Sequence, residues 1–298
     1  MSANEPGVWL PHHVLIAPDG QPRGWLLFLH GILGSGPNWR TIARKLVADR
    51  PDWGAVLVDL RMHGRSQAAP PPHDLDAVAR DLDRLAADLE GRDMAVGGVI
   101  GHSFGGKSAL AFRRLASGGP TSRASRLVDT WVLDASPSIR EAAPARPDGD
   151  PGDGAIEVLR ALEQAPGQFP SRDGFLAWVT GRGFSRGLGE WLGMNLVSEG
   201  GSFRLRLDLT AIRLLLEDYC RQDLWSAVED PGLPGAVHVV VAGRSSAVSP
   251  DDRARLEDLD ARGVAALHVL PDAGHWLHLD AGAELLALLS AELAPPAG

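Results

Sequence analysis

Short runs rich in Val, Leu and Ile, closed by Gly, Pro, Asp or His, alternate along the chain with longer stretches of helical period. This alternation limits the fold more than any other feature. The runs are WLLFLH (25–30), AVLVDL (55–60), MAVGGVI (94–100), LVDTWVLD (127–134), AVHVVVAG (236–243) and VAALHVL (264–270). They are nearly continuous in apolar residues, so they suit strands covered on both faces rather than strands with one wet face. Helix-like stretches lie near 38–49, 75–90, 104–116, 251–260 and 280–293. In the second, Leu75, Val78, Leu82, Leu85 and Leu89 recur at three- and four-residue steps and form one apolar stripe. The expected fold class is α/β, a mostly parallel sheet flanked by helices.

One interval departs from the rhythm. From 135 to 230 no strand pattern stands out, Pro and Gly cluster, and helical patterns carry Trp178, Trp191 and Trp225. A connection that long and that aromatic reads as an inserted helical cap over a core formed by 1–134 and 231–298. Within it, EAAPARPDGDPGDG (141–154) reads as a flexible surface connection, and the closing PPAG as a frayed tail.

A chain of 298 residues, 44% hydrophobic and 22% charged, can bury a large core. Its net charge of -9 and lack of a basic run argue against binding nucleic acid, which needs clustered Lys and Arg. The single cysteine, Cys220, cannot form an internal disulfide, which suits a reducing compartment; as a nucleophile it is a weak candidate. MSANEPGVWLPHH has neither a basic start nor an apolar centre, so it does not read as a secretory signal. No window approaches the roughly 18 apolar residues of a membrane span. The expected address is cytoplasmic.

The chemistry-bearing motif follows the third run. In GHSFGGKSALAFRRLA, Gly101, Ser103 and Gly105 fit G-x-S-x-G between a strand and a helix, the context that lifts a serine hydroxyl above a sheet. A Gly-rich turn with Ser103 as helix N-cap is the plainer alternative. The helix start offers free N–H groups to a developing oxyanion, first that of Phe104. A second donor is expected from the loop after an earlier strand, HGILGSGPNW, and is assigned to Ile32.

Of ten histidines, His275 in PDAGHWLHLD follows the last strand on a Gly-containing loop, where an imidazole can reach over the carboxyl edge of the sheet as general base. His278 is the runner-up. The acid belongs between nucleophile and base in chain order. Asp134 ends the strand LVDTWVLD and is the expected triad acid, with a turn or cap role as its alternative. Asp251 and Asp252 look like helix-start residues.

Four motifs in order, HGILGS at the oxyanion loop, DLRMHGRS at 59–66, GHSFGGK at the elbow and DAGHW at the base loop, resemble the α/β-hydrolase fold family. HGILGS-x-x-NW and GHS-x-GGK are most similar to its small esterase and acyl-CoA thioesterase branch. The resemblance implies cleavage of small-molecule acyl esters or thioesters through Ser103, with no cofactor and no metal. It also implies that Asp59 and Arg61 brace a loop near the site. Many members carry the acid as G-x-x-D after the penultimate strand; here that spacing from Gly243 meets Ser246, which favours Asp134, a location the esterase branch also uses. Other triad enzymes of this scaffold, such as an aminopeptidase, a carbon–carbon hydrolase or a perhydrolase, remain alternatives, as does a non-catalytic ligand sensor. Dehalogenases and epoxide hydrolases of the family place Asp where Ser103 stands.

Overall fold

The computed structural model describes residues 10–119, 121–140 and 154–297. Seven strands form one sheet in the order β1-β3-β2-β4-β5-β8-β9. They are β1 (His12–Leu15), β2 (Gly24–Leu29), β3 (Trp53–Val58), β4 (Val96–His102), β5 (Asp129–Leu133), β8 (Ala236–Ala242) and β9 (Ala266–Leu270). β1 runs antiparallel to β3 and every other pair is parallel. The six expected strands are all present, and β4 extends to His102, so the candidate nucleophile follows the strand directly. β1 was not anticipated. It is a short edge strand whose histidines and half-exposed positions give no apolar run.

The continuous apolar runs serve two cores at once. Along β2, Trp25, Leu27 and Leu29 face one layer while Leu26 and Phe28 face the other. The first layer receives α2 (Leu75–Glu90), α3 (Phe104–Arg114) and α9 (Pro250–Ala261); the second receives α1 (Arg40–Asp49) and α11 (Gly282–Glu292). Helix α2 begins where Asp74 caps Ala77 N–H, and it buries all five residues of its predicted stripe.

Between β5 and β8 the described chain holds α4 (Ala155–Leu162), α5 (Arg172–Thr180), α6 (Arg186–Leu192), α7 (Leu209–Arg221) and α8 (Trp225–Glu229). It also holds an antiparallel hairpin, β6 (Leu196–Glu199) with β7 (Ser202–Leu205), turned by Gly200 and Gly201 at positive φ. The hairpin corrects the expectation that this interval is free of strands. The stretch expected as a surface connection, 141–154, lies outside the described residues except for Gly154.

The outgoing and returning chains of this excursion meet at a narrow neck. Arg140 N–H donates to Cys220 O at 2.8 Å and Leu224 N–H to Pro137 O at 2.9 Å. The fully buried Lys107 of α3 reaches the same place, its Nζ donating to the carbonyls of Ser138, Tyr219 and Gln222 at 2.7–2.8 Å. Burial pushes this ammonium down to about 8, while three carbonyl acceptors satisfy its three donors.

Candidate active site

Parallel strands bring their carboxyl ends to one edge, and β4 and β5 end in register, His102 beside Leu133. The next residue of each strand is therefore held by its neighbour. Ser103 N–H donates to Leu133 O at 2.9 Å, and Asp134 N–H donates to Val240 O at 2.8 Å. Both residues turn at positive φ, 53° for Ser103 and 47° for Asp134, which non-glycine residues accept at a cost of about 1–3 kcal/mol. Ser103 stands at the N-cap position of α3 but makes no side-chain cap bond there. The sharp turn needs the glycines beside it: a Cβ on Gly101 would collide with the Gly105 carbonyl, and one on Gly105 with the Leu29 carbonyl.

Asp134 is fully buried. Its Oδ1 accepts Ala242 N–H at 3.1 Å and its Oδ2 accepts His275 Nδ1–H at 2.7 Å. That bond holds the imidazole in the tautomer whose Nε2 lone pair is free to take a proton. His275 and Ser103 line the same cleft, although no hydrogen bond joins their side chains among the described residues. Asp251 and Asp252 stand in the first turn of α9, as expected of helix-start residues. Asp252 is engaged elsewhere, accepting the hydroxyls of Ser136 and Ser138 at 2.5 Å each. Burial alone would raise its carboxyl, but hydrogen bonds from Ser136, Ser138 and Ser249 outweigh that and leave it below the usual range. His278 packs among the rings of Trp39, Trp276 and His102, and burial pushes its imidazole down to about 4.

The loop after β2 is held by His30. Its Nδ1–H donates to Gly31 O at 2.8 Å and its Nε2 accepts Leu60 N–H at 3.1 Å; Gly34 N–H also donates to Gly31 O. In a trans peptide the N–H points opposite to the C=O, so tying the Gly31 carbonyl turns Ile32 N–H away from His30. Gly31 and Ile32 line the cleft that Ser103 lines. Phe104 opens α3, so its N–H has no partner within the helix. Asp59 and Arg61 do brace neighbouring loops. Asp59 accepts Gly36 N–H and Arg65 N–H, and Arg61 pairs with the buried Asp81 at 2.7 Å and donates to Pro70 O and Pro72 O.

Apart from His102, the cleft's remaining wall is apolar: Leu33, Ala155, Val158, Leu188, Trp191 and Trp276. Among the described aromatic residues of the excursion, Trp191 lines this cleft. Phe169, Phe175 and Trp178 pack on one another, Phe184 is buried in the core, and Trp225 donates to Ser138 Oγ. Ala155, Val158 and Leu188 were missed; apolar residues on short helices carry no signal that would place them at a distant serine.

A model of the Alpha/beta hydrolase family matches residues 26–288. The chain belongs to that family. The sn-1-specific diacylglycerol lipase ABHD11 of Danio rerio is 29% identical to this hydrolase over 273 residues, spanning 91% of this chain and 78% of that one. Esterase YbfF of Escherichia coli (strain K12) is 28% identical over 257 residues, 86% of this chain and 87% of that one. Among solved structures, one titled Marine microorganism esterase superposes with a TM-score of 0.73 at 20% identity over 95% of this chain and 98% of that one, a likeness of fold. Among the described residues of the hydrolase, no helix is long and apolar enough to cross a membrane, and no group of three or more His, Cys, Asp or Glu could hold a metal ion.

Proposed function

We propose that this α/β hydrolase cleaves carboxylic esters or thioesters of small molecules through an acyl-enzyme on Ser103, with His275 as base and Asp134 as acid. The observation that carries the reading is the 2.7 Å bond from His275 Nδ1 to a buried Asp134, at a cleft whose wall also holds Ser103. The names of the two similar proteins, a diacylglycerol lipase and an esterase, support ester chemistry.

In this reading Ser103 Oγ attacks the acyl carbon as His275 Nε2 takes its proton, and Asp134 steadies the imidazolium. The N–H groups of Ile32 and Phe104 receive the oxyanion; losing one such donor costs on the order of a hundredfold in turnover. His275 then protonates the leaving group, and water activated by the same nitrogen releases the acyl group. The apolar wall from Leu33 to Trp276 suits an acyl chain. We read 135–230 as a cap because Ala155, Val158, Leu188 and Trp191 close the cleft from above the strand ends. The location is proposed as cytoplasmic, consistent with the lone unpaired Cys220.

The test is hydrolysis of p-nitrophenyl esters and acyl-CoA thioesters across chain lengths by folded wild type, Ser103→Ala, Asp134→Asn and Asp251→Asn. Collapse in the first two variants with activity kept in the third supports the assignment. Full activity in Asp134→Asn removes Asp134 from it, and no turnover by wild type on any acyl substrate overturns the whole reading.

A further inference from the structure

Ser103 and Asp134 are held by the hydrogen-bond ladder of the sheet, but His275 is not. It sits on the loop between β9 and the short helix Leu277–Asp280, and a side-chain bond to Asp134 cannot by itself set where the loop backbone lies. Arg244 N–H holds Ala273 O at 2.9 Å and Asp280 accepts Gly274 N–H at 3.0 Å, and a further contact reaches the backbone of His275 itself. His102, the residue before Ser103, places its Nε2 2.6 Å from the main-chain oxygen of His275. A carbonyl only accepts, so Nε2 carries the hydrogen. The two rings lie 4.7 Å apart, and the imidazole of His102 also packs at 5.4 Å from His278 and 6.0 Å from Trp276, which follow the base along the chain. Gly31 gives this ring its space, since a Cβ there would sit 3.3 Å from Nδ1.

We infer that His102 is a positioning residue, which clamps the base loop to the nucleophile strand through the Nε2–H bond to His275 O. The inference rests on the proposed role of His275 as base. The base is then held twice, at its ring by Asp134 and at its backbone by the neighbour of the nucleophile. The distance between His275 Nε2 and Ser103 Oγ is thereby tied to the sheet instead of to the loop. The ring is only 3% exposed, and burial pushes its protonation well below the usual histidine range. It therefore stays neutral beside His275, even when His275 carries a proton during turnover.

Two substitutions separate positioning from packing. His102→Phe keeps an aromatic ring against Trp276 and His278 but has no donor; His102→Gln restores an N–H at similar reach. Active sites are counted by titration with a fluorophosphonate, and kcat and KM are measured per titrated site. The expected result is a loss of about a hundredfold in kcat for His102→Phe with KM nearly unchanged, and recovery of most of it in His102→Gln. If folded His102→Phe keeps its kcat, or if His102→Gln is as slow as His102→Phe, the inference is overturned. Should His102→Phe not fold, nitrogen-15 NMR of the wild-type rings decides. A neutral Nε2–H form of His102 from pH 5.5 to 8 is required, and an Nδ1–H form or a charged ring in that range refutes the clamp. Failure of wild type to label or to turn over acyl substrates would instead count against the proposed function, and the NMR result stands apart from it.

Discussion

Acid should destabilise this protein through its buried histidines, and His63 allows the effect to be isolated. The residue is fully buried, its Nδ1–H donates to Arg61 O at 2.9 Å, and its Nε2 has no partner. Burial, aided by the nearby His30, pushes its imidazole down to about 3, against a value of about 6.5 in the unfolded chain. Between those values the unfolded chain binds a proton that the native protein does not, so stability falls as pH drops and is complete above about 6.5. At pH 5 the unfolded state gains RT ln(1 + 10^1.5), about 2 kcal/mol, and the native state gains almost nothing. His63→Asn keeps a donor for Arg61 O and removes the titration. Its packing cost is the same at every pH and cancels in a difference. Urea unfolding of both proteins at pH 8 and pH 5 should therefore show a loss on acidification that is about 2 kcal/mol smaller in His63→Asn. Equal losses in the two proteins would refute the reasoning.

Trp191→Ala should widen the cleft where Trp191 meets Trp276 edge to face at 4.6 Å; kcat/KM for short acyl esters should drop about tenfold, with longer chains less affected, and an unchanged chain-length profile would count against Trp191 as wall. Asp252→Ala strands the hydroxyls of Ser136 and Ser138, so unfolding measurements should show a loss of about 1–3 kcal/mol, while turnover per folded molecule stays within a few-fold of wild type. Gly105→Val, which drives a side chain into the Leu29 carbonyl, should cost at least about 3 kcal/mol and yield little folded protein; a normal melting curve would contradict the close approach.

The strands of the sheet were legible because burial on both faces leaves no room for polar alternation: LLFL and VLV read as strands with no tertiary information. β1 was not, since HHVL at an edge need satisfy only one neighbour. The hairpin Leu196–Leu205 was overlooked although Gly200-Gly201 between two apolar pairs is a turn signal, because the tryptophans around it drew the interval towards helix. At the site, Ser103 and Asp134 were named from strand ends, which is where parallel strands deliver their next residues, and His275 from the loop after the last strand. Their meeting depends on register that no local pattern records, such as His102 beside Leu133 and Leu133 beside Val240. The cleft wall from Ala155 to Trp191 was illegible for the same reason.

The neck has a consequence for how relatives of this chain can diverge. Between Pro137 and Leu224 the described chain joins the core through two backbone bonds and the Lys107 ammonium at the neck, and beyond it through Asn195 to Leu33 O, Arg206 to Gly64 O and Leu75 N–H to Asp218. A chimera that exchanges the stretch between Pro137 and Leu224 leaves β5 and β8 as they are, and with them Ser103, Asp134 and His275, while it replaces Ala155, Val158, Leu188 and Trp191 of the cleft wall. Lys107 sets the terms of such a graft: any replacement must present three carbonyls to it, or leave a charge buried without partners.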